Sequence, residues 1–151
     1  MTGKIIFLNG TSSSGKAEVA RALQDQLEQP YLNFSIDQWL HMLPEKFMTS
    51  ADEELPPAQA LMMTEVFPIT MTALHRSIVT FMASGVNLIV DHVLQRRDWL
   101  KECVEMPDGS HVMFVGVFCE PEEIRRKESE RTTPEGLEDS QVASVHSHDF
   151  V

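Results

Sequence analysis

Eight residues near the N-terminus constrain this chain more than any others. Gly10-Thr11-Ser12-Ser13-Ser14-Gly15-Lys16-Ala17 has the spacing G-x-x-x-x-G-K, followed by Ala. Before it stands Lys4–Asn9, a short apolar run rich in β-branched and aromatic side chains, which reads as a buried strand. After it comes Ala17–Gln29, with Val19, Leu23 and Leu27 at four-residue spacing, Ala20 beside them and Pro30 as a stop. That is the pattern of an amphipathic helix. A strand that turns through glycines into a helix can cradle a phosphate. The glycines let the loop fold around the anion, the backbone N–H groups and the helix N-terminus point at it, and Lys16 reaches the β- and γ-phosphates. The plain alternative is a Ser-rich strand–helix turn, and the strand-before, helix-after context favours the cradle.

The rest of the chain repeats the alternation. Tyr31–Ile36 reads as a second strand ending at Asp37, and Gln38–Leu43 as one or two helical turns before Pro44. Thr49–Pro57 is acidic and Pro-ended, the composition of a loop. Ala58–Ser84 is helical in character, with a kink or a division expected at Pro68. Its second half places Leu74, Ile78, Phe81 and Met82 on one face and stops at Gly85. Val86–Val90 is a third strand, ending at Asp91. Arg97–Val104 is a short helix with Trp99, Leu100, Cys103 and Val104 inward. Val112–Cys119 is a fourth strand, and Pro121 suits the first turn of a helix over Glu122–Arg131. A last short helix is expected around Leu137–Val145.

Near-continuous apolar strands, each followed by a helix, imply an α/β chain whose parallel sheet is covered on both faces. At 151 residues this is a single domain, 1–151. Ligands of such sheets bind at the carboxyl ends of the strands. The 10–17 loop, Asp37 and Asp91 all stand there.

Asp37 can take a hydroxyl proton as that hydroxyl attacks a γ-phosphate, or it can simply cap the helix of Gln38–Leu43. Asp91, at the end of an apolar strand, is placed to orient Mg²⁺ or its waters, with a turn or cap role as the alternative. His92 beside it reads as structural. Ala17 is a departure: Ser or Thr normally stands there and ligates Mg²⁺, so a water must replace the hydroxyl and Mg²⁺ affinity falls.

Charge narrows the partners. Asp and Glu number 23 against 12 Lys and Arg, a formal net charge of −11, which repels a nucleic-acid backbone or an anionic membrane. A chain this acidic must concentrate its cations to hold polyphosphate, and Arg96, Arg97, Arg125, Arg126, Lys127 and Arg131 cluster in two places. One reading of Glu122–Arg131 is a solvated helix with i,i+4 pairs such as Glu122–Arg126 and Glu123–Lys127. The other is a lid whose Arg126 and Arg131 close on the phosphates. His146-Ser147-His148-Asp149 lacks the spacing of a zinc site. No stretch approaches the roughly 20 apolar residues of a membrane span, and no signal-peptide core is found. The two cysteines, Cys103 and Cys119, are expected to be reduced thiols in a cytoplasmic protein.

With these residues in hand, the chain resembles the chloramphenicol phosphotransferase-like family of P-loop kinases. The resemblance rests on Ile6 through Lys16, Phe34-Ser35-Ile36-Asp37, Leu88 through Val93, Val115-Gly116-Val117-Phe118-Cys119, and Gly136 through His146, spread in order over nearly the whole chain. It implies sheet order 2-3-1-4-5 and a kinase that phosphorylates a small-molecule hydroxyl. ATP would sit on Gly10, Thr11, Ser12, Ser13, Ser14, Gly15, Lys16 and Ala17. Asp37 matches the family's base, Asp91 its third-strand carboxylate and Arg131 one lid arginine.

Besides Ala17, two departures stand out. The lid segment Arg131-Thr132-Thr133-Pro134 is one residue short and lacks the family's second arginine. The chain also stops at Val151, where family members continue into a final strand and helix, so a sheet of order 2-3-1-4 without the fifth strand is expected. That would expose the edge of Val112–Cys119 and invite pairing of two copies.

Overall fold

The computed structural model describes residues 2–44, 61–94, 96–105 and 111–130. Within these, the strands are β1 (Ile5–Asn9), β2 (Leu32–Ser35), β3 (Leu88–His92) and β4 (Val112–Gly116). All pair in parallel, in the order β2-β3-β1-β4. This is the expected order for the four strands. The helices are α1 (Lys16–Gln26), α2 (Ile36–Leu40), α3 (Phe67–Ala83), α4 (Arg97–Glu105) and α5 (Pro121–Glu130), with a π-helical stretch, Met62–Val66, leading into α3. The expectations for Thr49–Pro57, Arg131–Pro134, the Leu137–Val145 helix, the His146–Asp149 cluster and the fifth strand lie outside the described residues.

Side chains alternate across the sheet, and this splits the core in two. Ile5, Phe7, Leu88 and Val90 pack with Met71, Leu74, Ile78 and Met82 of α3 and Cys103 of α4. Leu8 and Ile89 pack on the other face with Ala20, joined by Ile6, Val19, Leu23 and Leu27. Three layers result, with α1 on one face of the sheet and α3 and α4 on the other. Because the strands are buried on both faces, they need no polar alternation, which is why they read as continuous apolar runs.

Several boundaries differ from expectation, each for a local reason. β2 stops at Ser35 because the Ser35 hydroxyl accepts the Asp37 N–H at 3.2 Å and starts α2 at Ile36. Ser35 is therefore the N-cap, and Asp37 lies in the first turn rather than capping a later helix. α1 ends at Gln26, short of Gln29, where Leu27 turns extended with its N–H still on the Leu23 carbonyl at 3.0 Å. Leu27 then packs inward near Tyr31, and Gln24 Nε2 donates to the Tyr31 carbonyl at 2.8 Å. β3 begins later than Val86 and runs on to His92, so Asp91 and His92 sit inside the ladder, opposite Leu8 and Asn9. β4 ends at Gly116, short of Cys119, because its partner β1 ends at Asn9. Beyond it Phe118 swings out and is 82% exposed.

The expected division at Pro68 is not found: the π-helical stretch Met62–Val66 runs directly into α3, and only the helix type changes there. Pro68 stands in the first turn, where its missing N–H leaves no gap. The helix ends with Ser84 as C-cap, and Gly85 adopts φ 84°, the left-handed conformation that glycine enters without strain. Leu74, Ile78 and Met82 are buried as expected, and so are Met71 and His75. Thr64–Ala83 spans 20 residues at a mean hydropathy of 1.2, long and apolar enough by that measure to cross a membrane. The sequence reading expected no such stretch. In the fold this helix buries one face on the sheet.

Candidate active site

Strand order determines which groups meet at the carboxyl edge. β3 lies between β2 and β1, so Asp91 at its end has Asp37 to one side and the loop after β1 to the other. Side-chain alternation turns Asp91 to the α1 face, the face of Ile89 two residues before it, and α1 begins with Lys16. Lys16 Nζ stands 3.7 Å from Asp91 Oδ1, with both side chains nearly out of solvent. Lys16 Nζ also donates to the Thr11 carbonyl at 2.7 Å, which folds the lysine back over its own loop.

Burial pushes the Asp91 carboxyl above the usual carboxylate range. Lys16 opposes that shift, while Asp37 and Glu18 add to it. The influence of Asp37 across the strand end places the two carboxylates in one field. Asp37 itself is exposed, in the first turn of α2. Its hydrogen bonds run through the backbone: its N–H donates to Ser35 Oγ, and its carbonyl accepts from His41 N at 2.9 Å and from His41 Nδ1 at 2.6 Å.

The loop itself is shaped for a ligand. α1 has no side-chain cap on its first N–H groups, and Gly15 at its N-cap adopts φ 97°. Ser13 is the one non-glycine residue of positive φ among the described residues, at 59°. A strained turn of this kind points successive N–H groups to one side. The Ser13 and Ser14 hydroxyls are buried without a hydrogen-bond partner. Buried polar atoms are rarely left so, and a bound anion would supply the missing acceptor. Orphaned hydroxyls, uncapped N–H groups and a buried ammonium together fit the phosphates of a nucleotide.

A magnesium ion has fewer protein ligands here. Ala17 offers none, and among the described residues no group of three His, Cys, Asp or Glu side chains converges. Asp91 with phosphate oxygens and waters is the donor set that fits, since Mg²⁺ keeps several waters in such sites.

The basic helix resolves in an unexpected way. Arg126 is taken by Glu123 in a two-pronged pair, Nε to Oε2 at 2.9 Å and NH2 to Oε1 at 2.6 Å. The pairing is i,i+3 on an exposed surface, where Glu122–Arg126 and Glu123–Lys127 were expected, and Lys127 also helps to draw the Glu123 carboxyl down. Lys127 turns to the loop instead: a Cβ placed on Gly15 would sit 3.7 Å from Lys127 Nζ and 3.8 Å from Glu18 Oε2. Sequence reasoning counts this cation in the basic cluster but pairs it with Glu123 and gives the phosphate role to Arg126 and Arg131. The available signal was topological: the helix after β4 starts at the strand end beside the phosphate loop. Arg131 lies outside the described residues. Arg96, the other basic site, chelates Asp98 at 2.7 and 3.0 Å and lies 5.7 Å over the Trp99 ring.

On the opposite face of β3, His92 is fully buried and meets His75 of α3, Nε2 to Nε2 at 3.1 Å. Both rings pack with Trp99, and His92 with Phe7. Burial, and then His75, lower the His92 pKa to about 3, so the ring is neutral. The structural reading of His92 fits this setting.

Comparison with known proteins adds the lineage. The model of the family described as chloramphenicol phosphotransferase-like protein matches residues 3–150. This chain belongs to that family. Two proteins of Mycobacterium tuberculosis, from strains CDC 1551 / Oshkosh and H37Rv, are each 32% identical to it over 142 residues, and O-phosphotransferase activity is ascribed to both in name. The match covers 85% of this chain and 63% of each relative, so the chain spans under two thirds of their length. Among solved structures, a sugar kinase from Janibacter sp. HTCC2649 aligns with a TM-score of 0.66 at 20% identity, over 95% of this chain and 78% of the kinase. A gluconokinase from Sinorhizobium meliloti 1021 aligns with a TM-score of 0.59 at 20% identity, over 95% and 75%. These likenesses establish the α/β P-loop fold of this family member.

Proposed function

We propose that this chloramphenicol phosphotransferase-like chain transfers the γ-phosphoryl group of ATP to a hydroxyl of a small molecule, with chloramphenicol 3-O-phosphotransferase as the model reaction. The observation that carries the reading is the row of charged groups across three adjacent strand ends: Asp37 after β2, Asp91 on β3, and Lys16 after β1.

Each group has work suited to its setting. The loop N–H groups and the Ser13 and Ser14 hydroxyls bind phosphate oxygens. Lys16, buried and close to Asp91, offsets the negative charge that grows on the phosphates as the bond to the leaving oxygen breaks. Asp37, exposed after β2 on the far side of Asp91 from the loop, accepts the proton of the acceptor hydroxyl as that oxygen attacks the γ-phosphorus and ADP leaves. Lys127 adds positive charge over the N-terminus of α1. Arg126 joins once it releases Glu123, and Arg131 is the further lid cation in this proposal. Magnesium, when bound, neutralises phosphate charge, with Asp91 as its protein ligand, through water. The choice of acceptor lies in site residues and not in the fold.

A phosphotransfer assay against a panel of hydroxyl acceptors tests the reading. Asp37→Asn is expected to bind ATP normally and to lose about 10²–10⁴ in turnover, the usual worth of a positioned general base. Near-full turnover by that variant removes Asp37 from the role. A second reading, nucleotide binding without transfer, is favoured by Ala17, since the hydroxyl it lacks acts on the transition state more than on ground-state binding. ATP binding with no product from any acceptor would select it.

A further inference from the structure

β1 ends in a residue that holds the chain on both sides of it. Asn9 pairs in register with His92 of β3 and Gly116 of β4, and it is only 5% exposed. Its backbone carbonyl accepts a hydrogen bond from Val117 N at 2.7 Å, just past β4. Its side-chain Oδ1 accepts one from Leu94 N at 3.0 Å, just past β3 and 85 residues away in sequence. Parallel ladders stop supplying partners where strands part, and a buried amide left without one is costly. Leu94 is 3% exposed, so its N–H depends on the Asn9 side chain and not on water.

We propose that Asn9 is a positioning residue, which fixes Asp91 against Lys16 by pinning the chain that leaves β3 to the base of the phosphate loop. Asp91 is three residues before Leu94, and Gly10 opens the loop directly after Asn9. The ladder holds Asp91 on its N-terminal side; the Asn9–Leu94 bond holds it on the other. At the next residue the loop is equally fixed: a Cβ on Gly10 would come within 2.3 Å of the Val117 carbonyl, so the backbones are in contact there. The sequence carries the same signal. Ile5 to Leu8 are all apolar, and the run breaks at Asn9, where a neutral acceptor is needed. Leucine or valine would be buried as well but would accept nothing. Aspartate would add a carboxylate to a strand end that already holds Asp91.

The structural part of the inference stands on these contacts alone; its consequence for magnesium rests on the phosphotransferase reading. The test uses the full chain and Asn9→Ala, with two readouts. The first is amide hydrogen exchange at single-residue level. Leu94 N–H is expected to lose protection about tenfold or more while Val117 N–H keeps its own, since the latter bonds to the backbone. The second is the factor by which Mg²⁺ raises ATP affinity. It is expected to fall about tenfold in the variant, with Mg²⁺-free affinity within about twofold of wild type, because a displacement near 1 Å is enough to spoil a positioned group. Should Asn9→Ala not fold, Asn9→Ser, which keeps a shorter acceptor, takes the same two measurements and is expected to show smaller changes of the same sign. Leu94 protection unchanged overturns the proposal, and so does a Mg²⁺ factor unchanged in a variant whose Leu94 is deprotected. If the wild-type chain binds no nucleotide, the phosphotransferase reading is what fails, and exchange at Asp91 and Leu94 then decides the positioning role.

Discussion

Lys16 and Asp91 face each other at 3.7 Å with side chains only 6% and 8% exposed, yet the pair does not bring the Asp91 carboxyl down to an ordinary pKa. Desolvation outweighs the attraction of one ammonium, and Asp37 adds to it. A carboxyl whose folded pKa lies above its unfolded value of 3.8 contributes stability below that pH and loses it as pH rises through the folded pKa. Asp91→Asn is therefore expected to stabilise the unliganded chain at pH 7 relative to wild type, and to do so less at pH 3.5. Chemical denaturation at the two pH values checks this. A stability difference that does not change with pH contradicts it.

Ala17 removes one hydroxyl from the phosphate loop. Ala17→Ser is expected to raise the Mg²⁺ enhancement of ATP affinity by about tenfold, since a hydrogen bond or ligand contact to a charged partner is worth about 1.5–3 kcal/mol. Titration with and without Mg²⁺ measures it. An enhancement unchanged by the serine means that Ala17 costs the site nothing.

Lys127, and not its neighbour Arg126, approaches the N-terminus of α1. Lys127→Met is expected to weaken ATP binding about tenfold, the worth of one charge-assisted contact. Arg126→Met is expected to weaken it less, by about threefold, because the guanidinium must first give up Glu123. Equal losses in the two variants would contradict the ranking of Lys127 above Arg126.

His92 makes the fold sensitive to acid. Its pKa is lowered from 6.5 to about 3, so its contribution to stability is complete above pH 6.5 and is lost as pH falls towards 3. The loss attributable to this one ring is at most about 1.4 kcal/mol per pH unit. His92→Phe keeps an aromatic ring near Phe7 and Trp99 and removes the titration. The variant is expected to lose less stability than wild type between pH 6 and pH 4, measured by denaturant unfolding. Parallel losses would exclude His92 as the cause.

The sheet and the loop were legible in the sequence because both rest on short-range patterns. Apolar runs, the spacing from Gly10 to Lys16 and Pro121 each carry their meaning within a few residues. Element ends were less legible, because long-range partners set them: β4 ends where β1 ends, and β2 ends where Ser35 finds the Asp37 N–H. Asp37 and Asp91 were found because a strand end is readable, though Asp91 lies inside the ladder rather than beyond it. Sequence does not single out Lys127 from its cluster, because the choice of Glu123 between Arg126 and Lys127 depends on rotamers. His75 carries no signal of its own on an apolar helix, and only the fold brings it against His92 across a gap of 17 residues.

Titration calorimetry of ATP into the purified chain, with and without Mg²⁺ and beside a thermal melt, tests the central claim most directly. The account predicts saturable binding at one site, tighter with Mg²⁺, and a melt raised by about 2.7 kcal/mol of added stability at roughly 100 times the dissociation constant. A chain that unfolds cooperatively and takes up no ATP would contradict it, and with it the assignment of Gly10–Ala17 as a working phosphate loop.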